Sequence, residues 1–118
     1  MKKRVAVIGG GASGLTAALM ASEKCSVVVF EKQKKIGRKI LITGNGRCNI
    51  SNTGIDAARY HGNNTGFVNN VFAKFGLSET EDFFRSIGVP FFEEDDGKLF
   101  PASLQASLIP KVFEYELT

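Results

Sequence analysis

An α/β fold is predicted for this chain by three features near its start. Arg4 to Ile8 and Ser26 to Phe30 are short apolar runs rich in β-branched side chains, as expected of strands buried on both faces. Between them, residues 12–24 contain no proline and are dense in strong helix formers. Gly9, Gly10, Gly11 and Gly14 join the first strand to that helix. Strand, glycine turn, helix and strand within about 30 residues form a βαβ unit, whose crossover is right-handed.

The 118 residues suffice for one small domain with a core and are too few for two. An apolar share of 43% with 23% charged residues excludes a disordered chain. No apolar run approaches the roughly 18–20 residues that span a bilayer. Met1, Lys2, Lys3 and Arg4 resemble the basic end of a secretory leader, but the apolar stretch after them turns into glycines beyond Ile8. A soluble, cytoplasmic protein without a membrane partner is therefore expected. Cys25 and Cys48 have no metal-like spacing and are expected as free thiols. The formal charge of +3 is modest, but Lys32, Lys34, Lys35, Arg38, Lys39 and Arg47 follow one another with no acid after Glu31. Such a run is a solvated loop, a cationic wall facing a phosphate, or a nucleic-acid patch, the last being the weakest beside a nucleotide motif.

Later elements follow from periodicity and punctuation. Residues 32–60 are rich in glycine, asparagine and threonine, with Ile36, Ile40, Leu41 and Ile42 as apolar anchors. A long irregular loop of this kind is functional or disordered. Phe67, Val68, Val71, Phe72 and Phe75 predict a helix stopped by Gly76. Ser78, Glu79, Thr80 and Glu81 predict a capping box with Ser78 as N-cap, and Phe83, Phe84 and Ile87 the buried face of the helix that Gly88 ends. Residues 89–93 and 98–100 predict a hairpin turning at Asp95, Asp96 and Gly97. Its acids are read as a solvated tip, not a metal site. A last helix is expected to start at Ser107, with Pro110 in its first turn, where no intrahelical donor is lost.

Gly9, Gly11 and Gly14 have GxGxxG spacing, and Glu31 ends the second strand 20 residues after Gly11. The spacing alone is weak in a chain with 13 glycines. A strand before it, a helix after it and the distal acid make it a dinucleotide fingerprint of the Rossmann type. Gly9 permits the turn, and Gly11 lets a pyrophosphate approach the backbone. The amides near Ala12 and Ser13, at the positive end of the helix, stabilise its charge. Gly14, with Ala18 one turn on, lets helix and strand pack closely. Glu31 accepts from ribose hydroxyls and repels a 2′-phosphate, which disfavours NADP. An ADP moiety is thus expected, and the turn leaves FAD and NAD both open.

The stretch Gly37-Arg38-Lys39-Ile40-Leu41-Ile42-Thr43-Gly44-Asn45-Gly46-Arg47-Cys48-Asn49-Ile50-Ser51-Asn52 resembles the signature of a bacterial flavoprotein family. Its members are described as FAD-binding or NAD(FAD)-utilizing dehydrogenases, and some as aminoacetone oxidases. His61-Gly62-Asn63, Gly88-Val89-Pro90 and Gly97-Lys98-Leu99-Phe100-Pro101 also look like family landmarks, so the resemblance covers nearly the whole chain. It implies a glutathione-reductase-type FAD-binding domain, present as its N-terminal βαβ unit with a helical and β-hairpin insertion. In that reading residues 1–31 bind ADP, 32–63 approach the flavin, and 64–118 form helices and hairpin. Gly9, Gly11, Ala12, Ser13 and Gly14 would take the pyrophosphate and Glu31 the adenosine ribose. Lys32, Arg38 and Lys39 would lie near phosphates or adenosine. Thr43, Gly46, Arg47, Cys48 and Asn49 would approach the ribityl chain and isoalloxazine, where Arg47 would favour the reduced, anionic ring. Cys48 is read as a small turn residue and His61 as a polar loop residue, neither as catalytic.

Family members are considerably longer, so the chain is expected to be an N-terminal part whose apolar surfaces, on residues 67–75 and the last helix, are covered by further chain or by self-association. The leading function is an FAD-dependent oxidoreductase acting on a small molecule, either an amine or an activated unsaturated compound. An NAD-dependent dehydrogenase and a non-catalytic nucleotide-binding module are the alternatives, and nucleic-acid binding is not expected.

Overall fold

The computed structural model describes all 118 residues. They group into two compact units: Met1–Cys48 with Ser103–Thr118, and Asn49–Ala102.

In the first unit, β1 (Arg4–Ile8) pairs in parallel with β2 (Ser26–Phe30), Arg4 opposite Ser26 and Ile8 opposite Phe30. Both strands have the predicted bounds. Helix α1 (Ala12–Ser22) makes the crossover between them and stops two residues before the predicted end. It packs on the face carrying Val5, Val7, Val27 and Val29, because a Cβ added at Gly14 would lie 3.4 Å from Val7 Cγ1. Leu15 and Ala18 of α1 are fully buried there. The opposite face carries Ile8, Val28 and Phe30 at 81%, 53% and 55% exposure. Burial on both faces is therefore corrected to burial on one, since this chain supplies a helical layer on one side only. Covering each of those large side chains would contribute about 1.5–3 kcal/mol.

Helix α4 (Leu108–Leu117) completes this unit, with Ser107 at the N-cap and Pro110 in the first turn as predicted. Ile109, Pro110 and Phe113 are buried. Much of the final helix's apolar face is thus covered within this chain, while Leu117 remains half-buried beside a groove.

The second unit holds a three-stranded antiparallel sheet in the order β3-β5-β4, built from β3 (Ser51–Asn52), β4 (Phe91–Glu93) and β5 (Lys98–Pro101). The hairpin closes as the sequence predicts. Phe92 faces Phe100 across it, and Glu94 N–H donates to the Lys98 carbonyl at 2.9 Å. At its tip Asp96 accepts from the Lys98 amide at 3.2 Å and pairs with Lys98 Nζ at 2.8 Å. Leu99 and Phe100 are buried.

Helices α2 (Gly66–Lys74) and α3 (Leu77–Ser86) precede the hairpin. Gly76 is the N-cap of α3, and Glu79, not Glu81, reaches back, its Oε2 accepting from Gly76 N–H at 3.3 Å. The reciprocal capping box predicted at Ser78 does not form: Leu77 already has helical geometry, Ser78 lies inside the first turn, and the Gly76 N-cap has no side-chain acceptor, so only the Glu79 half of such a box is present. The end of α3 is as read: Gly88 N–H donates to the Arg85 carbonyl and Val89 N–H to the Phe84 carbonyl, with Gly88 at φ +80°, a Schellman closure. Phe83, Phe84 and Ile87 are only half-buried. Phe67, Val71 and Phe75 keep 61%, 50% and 41% exposure along α2.

The two faces of the parallel sheet predict different costs. Leu15→Ala should lower unfolding free energy by about 2–5 kcal/mol, whereas Val28→Thr should change it by no more than about 0.5 kcal/mol. Urea denaturation of the two variants measures both; equal losses would contradict the one-sided burial.

Candidate functional site

The fingerprint turn forms at the C-terminal end of β1. Gly9 has φ +100°, and its amide donates to the Phe30 carbonyl at 2.8 Å, so the turn leaves the strand while still paired to β2. A Cβ at Gly14 would fall 1.9 Å from the Gly9 carbonyl oxygen, which places the start of α1 in direct contact with the turn. Gly11 differs: a Cβ there would meet nothing within 4 Å. It caps α1 without a side-chain hydrogen bond, and the first turn contains no acid. The first intrahelical bond runs from Leu15 N–H to the Gly11 carbonyl at 2.9 Å, leaving the amides of Ala12 and Ser13 ahead of it. Open space at Gly11 beside these donors is a fit for a pyrophosphate, whose charge the amides and helix dipole stabilise.

Glu31 stands at the end of β2 as predicted, and both its oxygens are already engaged. Oε2 accepts from the Gly10 amide at 2.7 Å and Oε1 from the Gln33 amide at 2.8 Å. The Gln33 and Gly10 amides hold the carboxyl below the usual carboxylate range, with partial desolvation opposing them. The stabilisation is therefore present above the ordinary carboxylate value and is lost as pH falls through the lowered one. Each oxygen retains acceptor capacity for a hydroxyl.

Three cations of the basic run, Lys34, Lys35 and Arg38, share one surface. Lys32, Arg38 and Lys39 are exposed, and the Arg38 guanidinium donates to Gln33 Oε1 at 3.0 Å. A groove of about 1020 Å³ runs beside β2, with Leu15, Val27 and Val29 in its lining and Lys34, Lys35 and Lys111 among its cations. None of Gly9, Gly11 or Gly14 lines it, so it is separate from the fingerprint turn.

Residues Ile40–Gly46 form 3-10 turns interrupted by extended Thr43 and by Gly44 and Asn45 in left-handed conformation. Thr43 Oγ1 donates to the Ile40 carbonyl at 2.7 Å, and the Gly46 carbonyl accepts from Ala106 N–H at 2.7 Å. Arg47 is half-buried, its Nε donating to the Gly44 carbonyl at 3.3 Å. Cys48 is 8% exposed at φ +63°. Burial pushes its thiol pKa up, against a hydrogen bond with the Thr43 side chain. A thiol so held is a poor nucleophile at neutral pH, which supports its reading as a turn residue. Asn49 begins the second unit, where its amide nitrogen, placed to satisfy both neighbours, donates to the Ser51 carbonyl at 2.8 Å. His61 is exposed.

The sequence reading missed Gly10, Gln33, Gly37 and Pro110. Gly37 N–H donates to the Gly10 carbonyl at 2.7 Å, and a Cβ at Gly37 would fall 2.7 Å from Pro110 Cγ. The run of three glycines at 9–11 was the available signal for Gly10; nothing local to Pro110 announces its contact.

A parallel βαβ unit, a glycine turn open at Gly11 and an acid closing β2 define a Rossmann-type dinucleotide-binding unit. The chain matches the HI0933-like protein Rossmann domain over residues 3–118 and belongs to that family of FAD-binding flavoproteins.

Among its relatives, a 3-dehydro-bile acid delta(4,6)-reductase of Clostridium scindens is 44% identical over 117 residues, covering 97% of this chain and 28% of the reductase. A ribosomal RNA dihydrouridine synthase of Haemophilus influenzae is 39% identical and one of Escherichia coli 33%, each over 95 residues, covering 80% of this chain and 24% of the synthase. The chain thus spans about a quarter of the length of these curated relatives. The expectation that nucleic acid plays no part finds no support here, because two of the relatives are named for ribosomal RNA. No helix is long and apolar enough to cross a membrane.

The two cysteines should separate chemically. Iodoacetamide at neutral pH should label half-exposed Cys25 first, with Cys48 reacting only once urea unfolds its turn. Intact-mass and peptide mass spectrometry report the order; prior labelling of Cys48 would contradict its burial.

Proposed function

We propose that this chain is the FAD-holding N-terminal portion of an oxidoreductase whose remaining portion supplies the substrate pocket. The observation that carries the reading is the turn at Gly11, open to a ligand on one side and fixed by Glu31 on the other. In this reading the backbone at Gly9, Gly11, Ala12, Ser13 and Gly14 receives the pyrophosphate. Glu31 accepts a ribose hydroxyl while still holding the turn. Exposed Lys32, Arg38 and Lys39 lower the cost of bringing phosphate charge to this end of β2. Thr43, Gly46, Arg47, Cys48 and Asn49 serve the ribityl and ring end, Arg47 by its positive charge. Bound FAD supplies two-electron hydride chemistry; the protein's part is to bind, orient and set the charge around it.

The relatives' names, a delta(4,6)-reductase and dihydrouridine synthases, share delivery of hydrogen to an unsaturated carbon pair. Reduction of an activated carbon–carbon double bond is accordingly the reaction class proposed. A small molecule is favoured as substrate over RNA, since identity is higher to the bile acid enzyme.

Titration of the chain with FAD, followed by flavin fluorescence and by visible absorption after desalting, tests the cofactor. Retained flavin bands support the reading; retention of NADH with no retention of FAD would overturn it. Within the turn, Gly11→Ala should cost stability no more than about 1 kcal/mol yet weaken FAD binding at least about tenfold, as expected for a lost phosphate approach. Gly14→Ala should instead unfold or destabilise the chain by about 3 kcal/mol or more, because its Cβ meets backbone.

A further inference from the structure

Gly10 occupies the position that the GxGxxG spacing leaves free, yet it is crowded where its neighbours Gly9 and Gly11 are open. It is buried, and both of its backbone polar groups are used: its N–H donates to Glu31 Oε2 and its carbonyl accepts from Gly37 N–H, each at 2.7 Å. A Cβ at Gly10 would lie 3.0 Å from Ile36 Cγ2 and 3.1 Å from Glu31 Oε2. Gly37 is buried in its turn and holds φ +67°, with Pro110 against it. Pro110 belongs to the first turn of α4 and is itself buried. The contacts run without a break from α4 through Gly37 to Gly10 and on to Glu31.

We propose that Gly10, Glu31, Gly37 and Pro110 form a positioning clasp that fixes the fingerprint turn in its ligand-receiving shape, so that cofactor affinity is set partly from α4. This rests on the reading of the turn as the FAD site. The physical basis is preorganisation. Amides aimed at a phosphate contribute fully only if the turn is already in place, and a turn competent one time in ten binds about tenfold more weakly. Gly37 and Pro110 act through Gly10, as positioning residues. Glu31 has two tasks, and its hold on Gly10 exists before any hydroxyl reaches it. The clasp also explains why the residue between Gly9 and Gly11 is a glycine, a choice the phosphate does not require.

The test compares Pro110→Ala with Leu117→Ala, a half-buried position at the far end of α4, in the full 118-residue chain. Three measurements are made on each: thermal unfolding, amide hydrogen exchange of the peptide containing residues 9–14 without ligand, and FAD affinity by flavin fluorescence. Pro110→Ala should speed exchange in residues 9–14 and weaken FAD by about tenfold. Leu117→Ala should lower the melting temperature while leaving exchange in that peptide and FAD affinity unchanged. Gly10→Ala should behave like Pro110→Ala, more strongly. Unchanged exchange and affinity in Pro110→Ala would overturn the clasp. Equal effects of Leu117→Ala at matched stability loss would also overturn it, since general loosening would then suffice. If the unaltered chain binds no FAD, the cofactor reading fails, and the exchange comparison still decides whether α4 holds the turn.

Discussion

A carboxylate with one oxygen on the Gly10 amide and the other on the Gln33 amide ties the end of β2 to the turn that leaves β1. Parallel pairing alone would align the two strands, but it would not fix the path of the chain beyond Ile8. The Glu31 bridge does so, and it brings Gly9 to the place where the start of α1 rests on its carbonyl. From there α1 is aimed down the valine face, and Leu15 and Ala18 close the small core. Such hydrogen bonds to an ionised group are stronger than neutral ones. This bridge is partly screened by solvent, so its main contribution is geometric.

Charge in this unit is arranged more finely than the basic run suggests. Lys34, Lys35 and Arg38 border the groove beside β2, where Arg38 also donates to Gln33, whereas Arg47 turns to the Gly44 carbonyl. The basic run therefore serves at least two environments. The turn at residues 43–49 is likewise a backbone construction before it is a chemical one. Left-handed Gly44, Asn45, Gly46 and Cys48 fold it, and the carbonyls of Thr43 and Gly44 accept the amides of Cys48 and Arg47.

Much of this was legible in the sequence where local chemistry decides the structure. The bounds of β1 and β2, the Asp95-Asp96-Gly97 turn, the Gly88 stop and the Ser107–Pro110 helix start each follow from a residue type at a fixed offset. The capping box at Ser78 is not realised because the helix starts two residues earlier, at a Gly76 N-cap that offers no side-chain acceptor and so leaves no signal in the sequence. One-sided burial of the sheet was not legible, because an apolar alternation such as Ala6, Ile8, Val28 and Phe30 looks the same whether or not a second layer is present. In the site, the spacing of Gly9, Gly11, Gly14 and Glu31 pointed to the right turn. It did not show that Glu31 binds the turn itself, or that Pro110 reaches Gly37 from more than seventy residues away, since contacts at long separation leave no pattern in a single chain.

Two of the crowded glycines differ in the evolutionary freedom they leave. At Gly14 the obstacle is the Gly9 carbonyl, which every amino acid carries, so no second substitution can make room for a side chain. At Gly37 the obstacle is the ring of Pro110, a side chain that can itself be exchanged. Left-handed backbone is not reserved to glycine here either, since Asn45, Cys48 and Leu104 adopt it. Shrinking residue 110 would therefore relieve the steric obstacle at residue 37 and leave only the backbone strain of its left-handed conformation, so the order of the two changes matters. Residue 14 offers no such path, and its history should be one of invariance imposed by the peptide bond.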